Sequence, residues 1–182
     1  MIRSQDRSKW FGASDTYMIM CAGRNTKSFA KWWATKLGLF QNNISTVPMI
    51  AGTNWEHRIL KHMGITRMDR QIRIRKYRLR VNLDGETDDH IVEVKTHNAK
   101  GPFKVSKAYW MQAQVEQFAS GKDVVIAAYA LEPEDYVNFF RSVDQSRLQE
   151  IPIPYDFMWI IEKYLPQLEY FADCLRHGIK PE

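Results

Sequence analysis

VNLDGETDDHIVEVKT, residues 81–96, alternates apolar and polar side chains on both sides of a polar centre. Alternation with a period of two predicts two short strands, and the centre, rich in Asp, Gly and Thr, predicts the turn that joins them. The first strand is expected to end at Asp84, and the second places Glu93 and Lys95 on one face. If the strands pair, the two carboxylates converge beside the lysine.

Two carboxylates and a lysine form a group that suits a hard divalent cation. Carboxylate oxygens and water are the ligands that Mg²⁺ and Mn²⁺ prefer, and such an ion polarises a phosphate and lowers the pKa of a bound water. Lys95 would orient that water or neutralise charge on the phosphorus. A plain hairpin with Asp84 and Gly85 in its turn, and a surface Glu-x-Lys pair, explain the same residues, so this stretch alone leaves both interpretations open.

Composition predicts an ordinary globular chain. It has 182 residues, 45% of them hydrophobic, a net charge of +5 and a pI of about 9.2. One domain, residues 1–182, is expected, and the basic excess permits a polyanionic partner. Cys21 and Cys174 lie in no metal-binding spacing and indicate a reducing compartment. The sequence shows no apolar run of membrane-spanning length and no signal-like N-terminus, so a cytoplasmic protein without a membrane partner is expected.

Local patterns predict the remaining secondary structure. Ser14 is the expected N-cap of the first helix, residues 38–51 are an expected loop, and Pro166 is expected to kink the last helix. Helices are expected over residues 15–22, 28–37, 54–63, 106–119 and 157–177, and further strands over residues 123–131 and 137–141. These elements predict an α/β fold with a mixed central sheet flanked by helices, and a C-terminal helical tail, about residues 155–178, that packs on the domain or at an oligomer interface.

Residues 67–80 are the most basic segment and alternate like a strand with a bend near Lys76. Arg78, Arg80 and Asn82 share the parity of Asp84 and are expected to face it. A basic strand beside a metal is typical of sequence-independent DNA binding, in which phosphate contacts dominate the affinity. A solvated strand face is the alternative interpretation.

Four blocks of sequence, taken in order, carry a resemblance to a known family. They are Arg7 with WFGASD (residues 10–15), AGTNWE (51–56), Asp84 with EVK (93–95), and YWMQAQVE (109–116). Over about residues 7–130 the set resembles the PD-(D/E)XK nuclease superfamily, and within it the phage λ-type exonucleases, or YqaJ-like viral recombinases. The resemblance implies the restriction-endonuclease-like fold.

The resemblance also implies a ligand set for the metal. Asp84, Glu93 and the backbone carbonyl of Val94 would hold Mg²⁺, with Mn²⁺ as the alternative ion. Glu56, which follows a glycine on a helix, would support a second ion or its waters. The alternative interpretation of Glu56 is an acidic residue that only complements the helix dipole, and the resemblance favours the role in the site.

Other positions are implied to handle the nucleophile and the DNA end. Lys95 and Gln112 would position the nucleophile, with Gln114 as the weaker candidate glutamine. Arg7 and Ser14 would hold a terminal 5′-phosphate, although Ser14 is equally well explained as a helix cap.

The function implied by the resemblance is a Mg²⁺-dependent exonuclease of phage or prophage recombination. It would digest linear double-stranded DNA from 5′ to 3′ and leave 3′ single strands for an annealing protein. A trimeric ring in the cytoplasm of a phage-infected or lysogenic bacterium is implied as well. Two alternatives remain open, a structure- or sequence-specific endonuclease on the same fold and a non-catalytic basic DNA-binding module.

Overall fold

The structure, a computed structural model, describes residues 8–41 and 45–182. Within these residues one sheet has the strand order β1-β2-β3-β4-β5, and its members are β1 (Arg67–Ile74), β2 (Leu79–Glu86), β3 (His90–Asn98), β4 (Asp123–Leu131) and β5 (Leu148–Ile153). Neighbouring strands are antiparallel except β3 and β4, which run parallel. A parallel pair needs a long crossover, and a helix supplies it here. The predicted mixed sheet is confirmed.

Helices cover both faces of the sheet. They are α1 (Thr16–Met20), α2 (Lys27–Leu37), α3 (Val47–His62), α4 (Lys107–Ser120), α5 (Phe157–Trp159) and α6 (Leu165–His177). Alternate residues of β3 and β4 enter two different buried clusters, one formed with α3 and the other with α2, α4 and α6. Because successive strand side chains point to opposite faces, α3 packs on one face of the sheet, and α2, α4 and α6 pack on the other. In the part of the chain that the structure describes, no helix has the length and apolarity to cross a membrane.

Capping residues set the bounds of α2 and α4, the helices whose predicted bounds agree best with the structure. The side chain of Thr26 accepts a hydrogen bond from the N–H of Phe29, and that of Ser106 accepts one from the N–H of Tyr109, both at 3.2 Å. Gly121 ends α4 in the left-handed conformation at φ +71°, which glycine adopts without steric cost. The strand predicted over residues 123–131 is β4 with the same bounds.

The first helix begins differently from the prediction. Ser14 lies inside a short 3₁₀ helix (Ala13–Asp15), and α1 follows from Thr16. The N–H of Gly12 donates to Oδ2 of Asp15 at 2.7 Å, so Asp15 holds this turn. The prediction that Ser14 is an N-cap was wrong, because the neighbouring carboxylate is the side chain that bonds the backbone here.

Helix α3 begins seven residues earlier than predicted, at Val47 instead of Asn54. Thr46 is its N-cap and accepts a hydrogen bond from the N–H of Met49 at 3.4 Å. The expected loop over residues 38–51 was therefore wrong for residues 47–51, which belong to α3. Pro48 suggested a loop, yet a proline is well tolerated in the first turn of a helix, where its missing N–H has no partner to lose.

The basic segment forms a hairpin, not one bent strand. Strands β1 and β2 pair from Arg67–Glu86 to Ile74–Leu79, with an interruption at Asp69 and Asp84, and a 3₁₀ turn (Arg75–Tyr77) reverses the chain. Strand β2 also continues past Asp84 to Glu86, so the turn to β3 is made by residues 87–89. The predicted end of the strand at Asp84 was wrong, because the sheet neighbours keep Gly85 and Glu86 extended.

The region after β4 also differs from the prediction. Residues 137–141 form no strand, and Val137 and Phe140 are 82% and 90% exposed. The edge strand β5 lies further on and contains Pro152, which pairs with Val125 of β4. Proline lacks a donor for the ladder, and an edge strand is where a sheet tolerates it.

The C-terminal helix carries the predicted irregularity as a π-helical turn. Residues Ile160–Tyr164 form this turn between α5 and α6, just before Pro166. A π-helical turn is wider than an α-helical turn, so it tolerates the hydrogen bond that is missing because proline has no N–H. Leu168 and Phe171 of α6 are fully buried in the same cluster as Phe11 and Trp33.

Candidate active site

The sheet opens between its second and third strands. In the described residues β2 and β3 pair through Gly85–Val92 and Glu86–Ile91 alone, and beyond these pairs the strands diverge. Asp84 and Glu93 are the residues next to the last pair. Both carboxylates therefore lie where the sheet splits, as their convergence on adjacent strands predicted.

Asp84 is tied directly to the opposite strand. Its Oδ2 accepts a hydrogen bond from the backbone N–H of Val94 at 2.9 Å. The N–H and C=O of one strand residue point to the same side, so the carbonyl of Val94 also faces the split. The proposed ligand set of Asp84, Glu93 and the Val94 carbonyl is thus brought to one place.

Lys95 and Gln112 meet at one oxygen of Glu93. Lys95 Nζ and Gln112 Nε2 each lie 2.5 Å from Glu93 Oε1, and Lys95 Nζ lies 3.3 Å from Gln112 Oε1. Glu93 is only 4% exposed. Lys95 Nζ also lies 5.0 Å from the ring centroid of Tyr109, on α4. The residues predicted to position the nucleophile therefore form one hydrogen-bonded group.

The structure separates the two candidate glutamines. Gln112 bonds Glu93, whereas Gln114 is fully buried and holds the C-terminal segment. Gln114 Nε2 donates to the carbonyl of Pro154 at 2.8 Å, and its Oε1 accepts from the N–H of Asp156 at 2.6 Å. Gln114 is therefore an anchor for the chain after β5, and Gln112 alone reaches the carboxylates.

Glu56 reaches the split from the other face of the sheet. It projects from α3 and lines a cavity of about 340 Å³ together with Val94, Lys95 and Tyr109. Gly85 allows this approach, because a Cβ there would lie 2.5 Å from Cδ2 of Leu60 on α3. The absence of a side chain at this strand position lets α3 pack closely against the site.

Two further residues beside Glu56 were not assigned to the site from the sequence. His57 follows Glu56 on α3, and its Nε2 lies 3.3 Å from Oδ1 of Asp69. Asp69 lies on β1 across from Asp84, in the left-handed region at φ 58°. One potential ligand atom from each of Glu56, His57 and Asp69 lies within 4.8 Å of the other two. Local sequence pattern cannot predict this group of three ligand atoms, because 12 residues separate His57 from Asp69.

Glu116 is the other residue that the sequence left outside the site. It is fully buried on α4, one turn beyond Gln112, and its Oε1 accepts a hydrogen bond from Gln112 Nε2 at 2.8 Å. The spacing i, i+4 from Gln112 is the sequence signal that indicates one shared helix face for the two residues.

The carboxyl groups raise one another's pKa values. Burial is the main cause for Asp84, whose pKa is well above its ordinary value, and the charges of Glu93 and Glu56 add to it. Burial and the charge of Glu93 likewise raise the pKa values of Glu56 and Glu116. Crowded, partly desolvated carboxylates of this kind are typical of functional sites, and a cation would relieve their repulsion.

The charge of Lys95 is secured by the same residues. Burial by itself lowers the pKa of a lysine, but the charge of Glu93, the hydrogen bond to Glu93 and the charge of Asp84 outweigh it and raise the pKa of Lys95. The group therefore stays protonated, so it can serve as a cationic donor and not as a general base.

The donor set fits a divalent cation. Among the described residues, Oε2 of Glu93 is buried and has no hydrogen-bond partner. An unpaired buried carboxylate oxygen is costly unless a ligand satisfies it. With the second oxygen of Asp84 and the Val94 carbonyl, it offers the all-oxygen environment that Mg²⁺ and Mn²⁺ prefer.

The structure does not bring the residues predicted to hold DNA together as it does the carboxylates, Lys95 and Gln112. Arg7 lies outside the described residues. Arg78 lies in the turn before β2 at φ 52°, so the expectation that it shares the face of Asp84 was wrong. Arg80 is 8% exposed, and Asn82 accepts a hydrogen bond from Gln71 Nε2 on β1 at 2.9 Å.

The N-terminal segment reaches the same strand as Asp84. The N–H of Phe11 donates to the carbonyl of Arg78 at 2.8 Å, and the N–H of Arg80 donates to the carbonyl of Phe11 at 2.7 Å. This short bridge uses the edge of β2 that β3 has left. After this bridge the chain enters the 3₁₀ helix Ala13–Asp15, which packs against α4. Ser14 in this helix is exposed.

Comparisons with known proteins identify the fold. No family model and no curated protein matches the sequence. Among solved structures, the phage-related exonuclease from Haemophilus somnus 129PT matches with a TM-score of 0.70 and 15% identity, over 93% of this chain and 96% of that one. LHK-Exo, an alkaline exonuclease from Laribacter hongkongensis, matches in its complex with dAMP with a TM-score of 0.67 and 19% identity, over 94% and 90%.

A putative exonuclease from Eubacterium rectale also matches, with a TM-score of 0.58 and 11% identity, over 96% of this chain and 83% of that one. Identities this low show a common fold and no more. The chain therefore has the fold of phage-related exonucleases, which is the fold that the sequence resemblance implied.

Proposed function

We propose that this chain is a metal-dependent exonuclease that acts on the ends of double-stranded DNA, with residues 1–182 as one nuclease domain. The observation that carries the proposal is the meeting of Asp84, Glu93 and Lys95 where β2 and β3 diverge. The shared fold with exonucleases over more than nine tenths of the chain supports it.

In this proposal four groups hold the metal ions. Asp84, Glu93 and the carbonyl of Val94 bind one Mg²⁺ or Mn²⁺, and Glu56 supports a second ion or its waters. The cation supplies positive charge that polarises the scissile phosphate and lowers the pKa of a water. The position of Glu56 across the split from Lys95, on the wall of one cavity, supports this division of roles.

Lys95 and Gln112 position the nucleophile. The ammonium group, held by Glu93 and kept charged by its neighbours, faces the cavity and donates to a water or to the phosphate. The amide of Gln112 is a neutral group that can hold the water without competing for the metal. Because Lys95 stays protonated and the amide of Gln112 is not basic, neither side chain accepts the proton of the attacking water, and that proton passes to the solvent.

The proposal also assigns residues that hold the end of the DNA. Arg7 and Ser14 hold a terminal 5′-phosphate, and Arg78, Arg80 and Asn82 contribute to the surface that follows the backbone. The bridge from Phe11 to β2 supports a location of this segment beside the site. Digestion then proceeds 5′ to 3′ and leaves 3′ single strands for an annealing protein, in a trimeric ring in the cytoplasm of a phage-infected or lysogenic bacterium.

Digestion of labelled DNA tests the proposal. Linear duplex labelled at either the 5′ or the 3′ end is incubated with Mg²⁺, beside a covalently closed circle of the same sequence. Glu93→Gln and Lys95→Met should abolish digestion, and Glu150→Gln, on the exposed side of β5, should leave it unchanged. Equal digestion by the site variants would overturn the site assignment.

The same assay distinguishes the other functions. Rapid cleavage of the closed circle would identify an endonuclease on this fold. Binding of duplex without any Mg²⁺-dependent cleavage would identify a non-catalytic DNA-binding module. A preference for 5′-phosphorylated over 5′-hydroxyl ends that disappears in Arg7→Ala and Ser14→Ala would support the polarity.

A further inference from the structure

Glu116 lies behind the glutamine of the candidate active site. Gln112 Nε2 donates to Glu116 Oε1 at 2.8 Å and to Glu93 Oε1 at 2.5 Å. An amide nitrogen has two hydrogens, so these two acceptors use both of them. The amide oxygen is thereby turned toward Lys95, 3.3 Å away.

Packing alone does not account for a carboxyl group at this position. Glu116 is fully buried on α4, where its neighbours Val115 and Ala113 are core residues. Within the described chain its Oε2 has no hydrogen-bond partner. Burying a polar atom without a partner costs stability, so an apolar side chain of similar size would suit the core better.

Glu116 Oε1 accepts a hydrogen bond from Gln112 Nε2, and the Glu116 carboxyl group also interacts with that of Glu93. Without that acceptor, one hydrogen of the amide has no fixed partner, and the side chain can turn its oxygen away from Lys95. Glu93 would then keep Lys95 but lose the fixed amide beside it.

We propose that Glu116 is a positioning residue of the nuclease site, which fixes the amide of Gln112 between Glu93 and Lys95. It touches neither the DNA nor the metal and acts through Gln112. The inference rests on the proposed function, in which Gln112 holds the nucleophilic water. It adds a residue on α4 to the site.

Three single variants test the proposal. Glu116→Leu removes the acceptor, Glu116→Gln keeps an acceptor oxygen in the same place, and Gln117→Leu is the matched control. Gln117 is buried on the same helix, 3% exposed, and bonds the carbonyl of Ile153, away from the carboxylates. Kinetics on linear duplex, DNA binding in EDTA and thermal melting are measured for each.

The expected pattern separates positioning from folding. Glu116→Leu should lower kcat by about tenfold or more while KM and DNA binding change by less than about twofold, as for groups that act in the chemical step. Its Tm should equal or exceed that of the wild type. Glu116→Gln should recover most of the lost kcat, and Gln117→Leu should keep the wild-type kcat.

A double variant shows whether Glu116 acts through Gln112. If it does, Gln112→Ala combined with Glu116→Leu should be no slower than Gln112→Ala alone, because the two residues form one unit. Losses that multiply would overturn the proposal, as would a Glu116→Leu enzyme that digests DNA at the wild-type rate. A loss of kcat matched by an equal loss in Gln117→Leu would also overturn it.

A spectroscopic readout separates this inference from the proposed function. The side-chain NH₂ signals of Gln112, assigned by their disappearance in Gln112→Ala, should shift in Glu116→Leu and stay in place in Gln117→Leu. This measurement needs neither DNA nor metal. If the wild type digests no DNA, the proposed function fails; if the Gln112 signals ignore Glu116, the positioning fails whatever the activity.

Discussion

The side chain of Asp84 bonds the backbone N–H of Val94, at 2.9 Å, at the point where β2 and β3 stop pairing. A carboxylate thus takes the position of the next backbone acceptor in the ladder. It keeps one oxygen on the partner strand while the strands diverge. The hydrogen bond between Asp84 and Val94 therefore both marks the end of the pairing of β2 with β3 and holds the carboxylate at that point.

Asp84→Asn is expected to separate these two roles. The amide oxygen still accepts from Val94, so the fold is retained, and the Tm stays equal or rises because a charge among carboxylates is removed. Loss of the anionic ligand should lower nuclease activity by about 100-fold or more. The control is Asp88→Asn, on the turn, where the side chain is 91% exposed. A fully active Asp84→Asn protein would contradict the ligand role.

Gly85→Ala should destabilise the protein by about 1 to 3 kcal/mol, because the new Cβ meets Leu60 of α3 and overpacked cores cost this much. Chemical denaturation measures the free energy of unfolding. Gly101→Ala is the matched control, since no described atom outside its chain neighbours lies within 4 Å of a Cβ there. In a Leu60→Ala background the cost of Gly85→Ala should shrink, and equal costs in both backgrounds would contradict the clash.

Glu86 is expected to make stability fall in acid. Burial by itself raises the pKa of Glu86, but hydrogen bonds from Arg70 and Lys122 outweigh it and hold the pKa below its ordinary value. A depressed folded pKa means that the unfolded chain binds protons first. The stabilisation is therefore present above the unfolded pKa, about 4.3, and is lost as the pH falls through the folded pKa.

Glu86→Gln should remove this dependence. At neutral pH the variant should be less stable by about 1 to 3 kcal/mol, the range for hydrogen bonds to charged groups. Between about pH 5 and pH 3 its stability should fall less steeply than that of the wild type. Denaturation at several pH values checks this, with Glu150→Gln as an exposed control. If the stability of Glu86→Gln and of the wild type falls equally steeply with pH, the bonds of Glu86 to Arg70 and Lys122 do not cause the loss of stability in acid.

Divalent cations should raise the melting temperature. A ligand that binds the folded state alone stabilises it by RT ln(1 + [L]/Kd), about 2.7 kcal/mol at 100 times Kd. The raised pKa values of Asp84 and Glu56 mean that protons compete with the ion, so the Tm rise caused by Mg²⁺ should grow with pH. Scanning calorimetry with Mg²⁺ against EDTA measures it. A rise of the same size in Glu93→Gln would place the ion elsewhere.

Some elements followed from local sequence. Ser106 and Gly121 bound α4, Thr26 caps α2, and the apolar run of β4 is a strand with the predicted bounds. These signals depend on hydrogen bonds and conformations within a few residues, so sequence carries them. The types of residue in the site, and the order of the four blocks that suggested the fold, were also readable in the chain.

Other features depended on partners distant in sequence. The reversal at Arg75–Tyr77, the continuation of β2 through Gly85 and the position of β5 depend on pairing with neighbouring strands. Local pattern cannot decide them, because a strand and a turn compete for the same residues until the sheet forms.

By itself the sequence determined an α/β chain with Asp84, Glu93 and Lys95 spaced for one site. Only the tertiary structure decided which oxygen each group faces. It placed Gln112, and not Gln114, within hydrogen-bond distance of Glu93, and it brought Glu116 beside Gln112. The reason is physical: periodicity assigns a side chain to a face, whereas a hydrogen bond needs a distance, and helix α4 sets that distance only when it packs on the sheet.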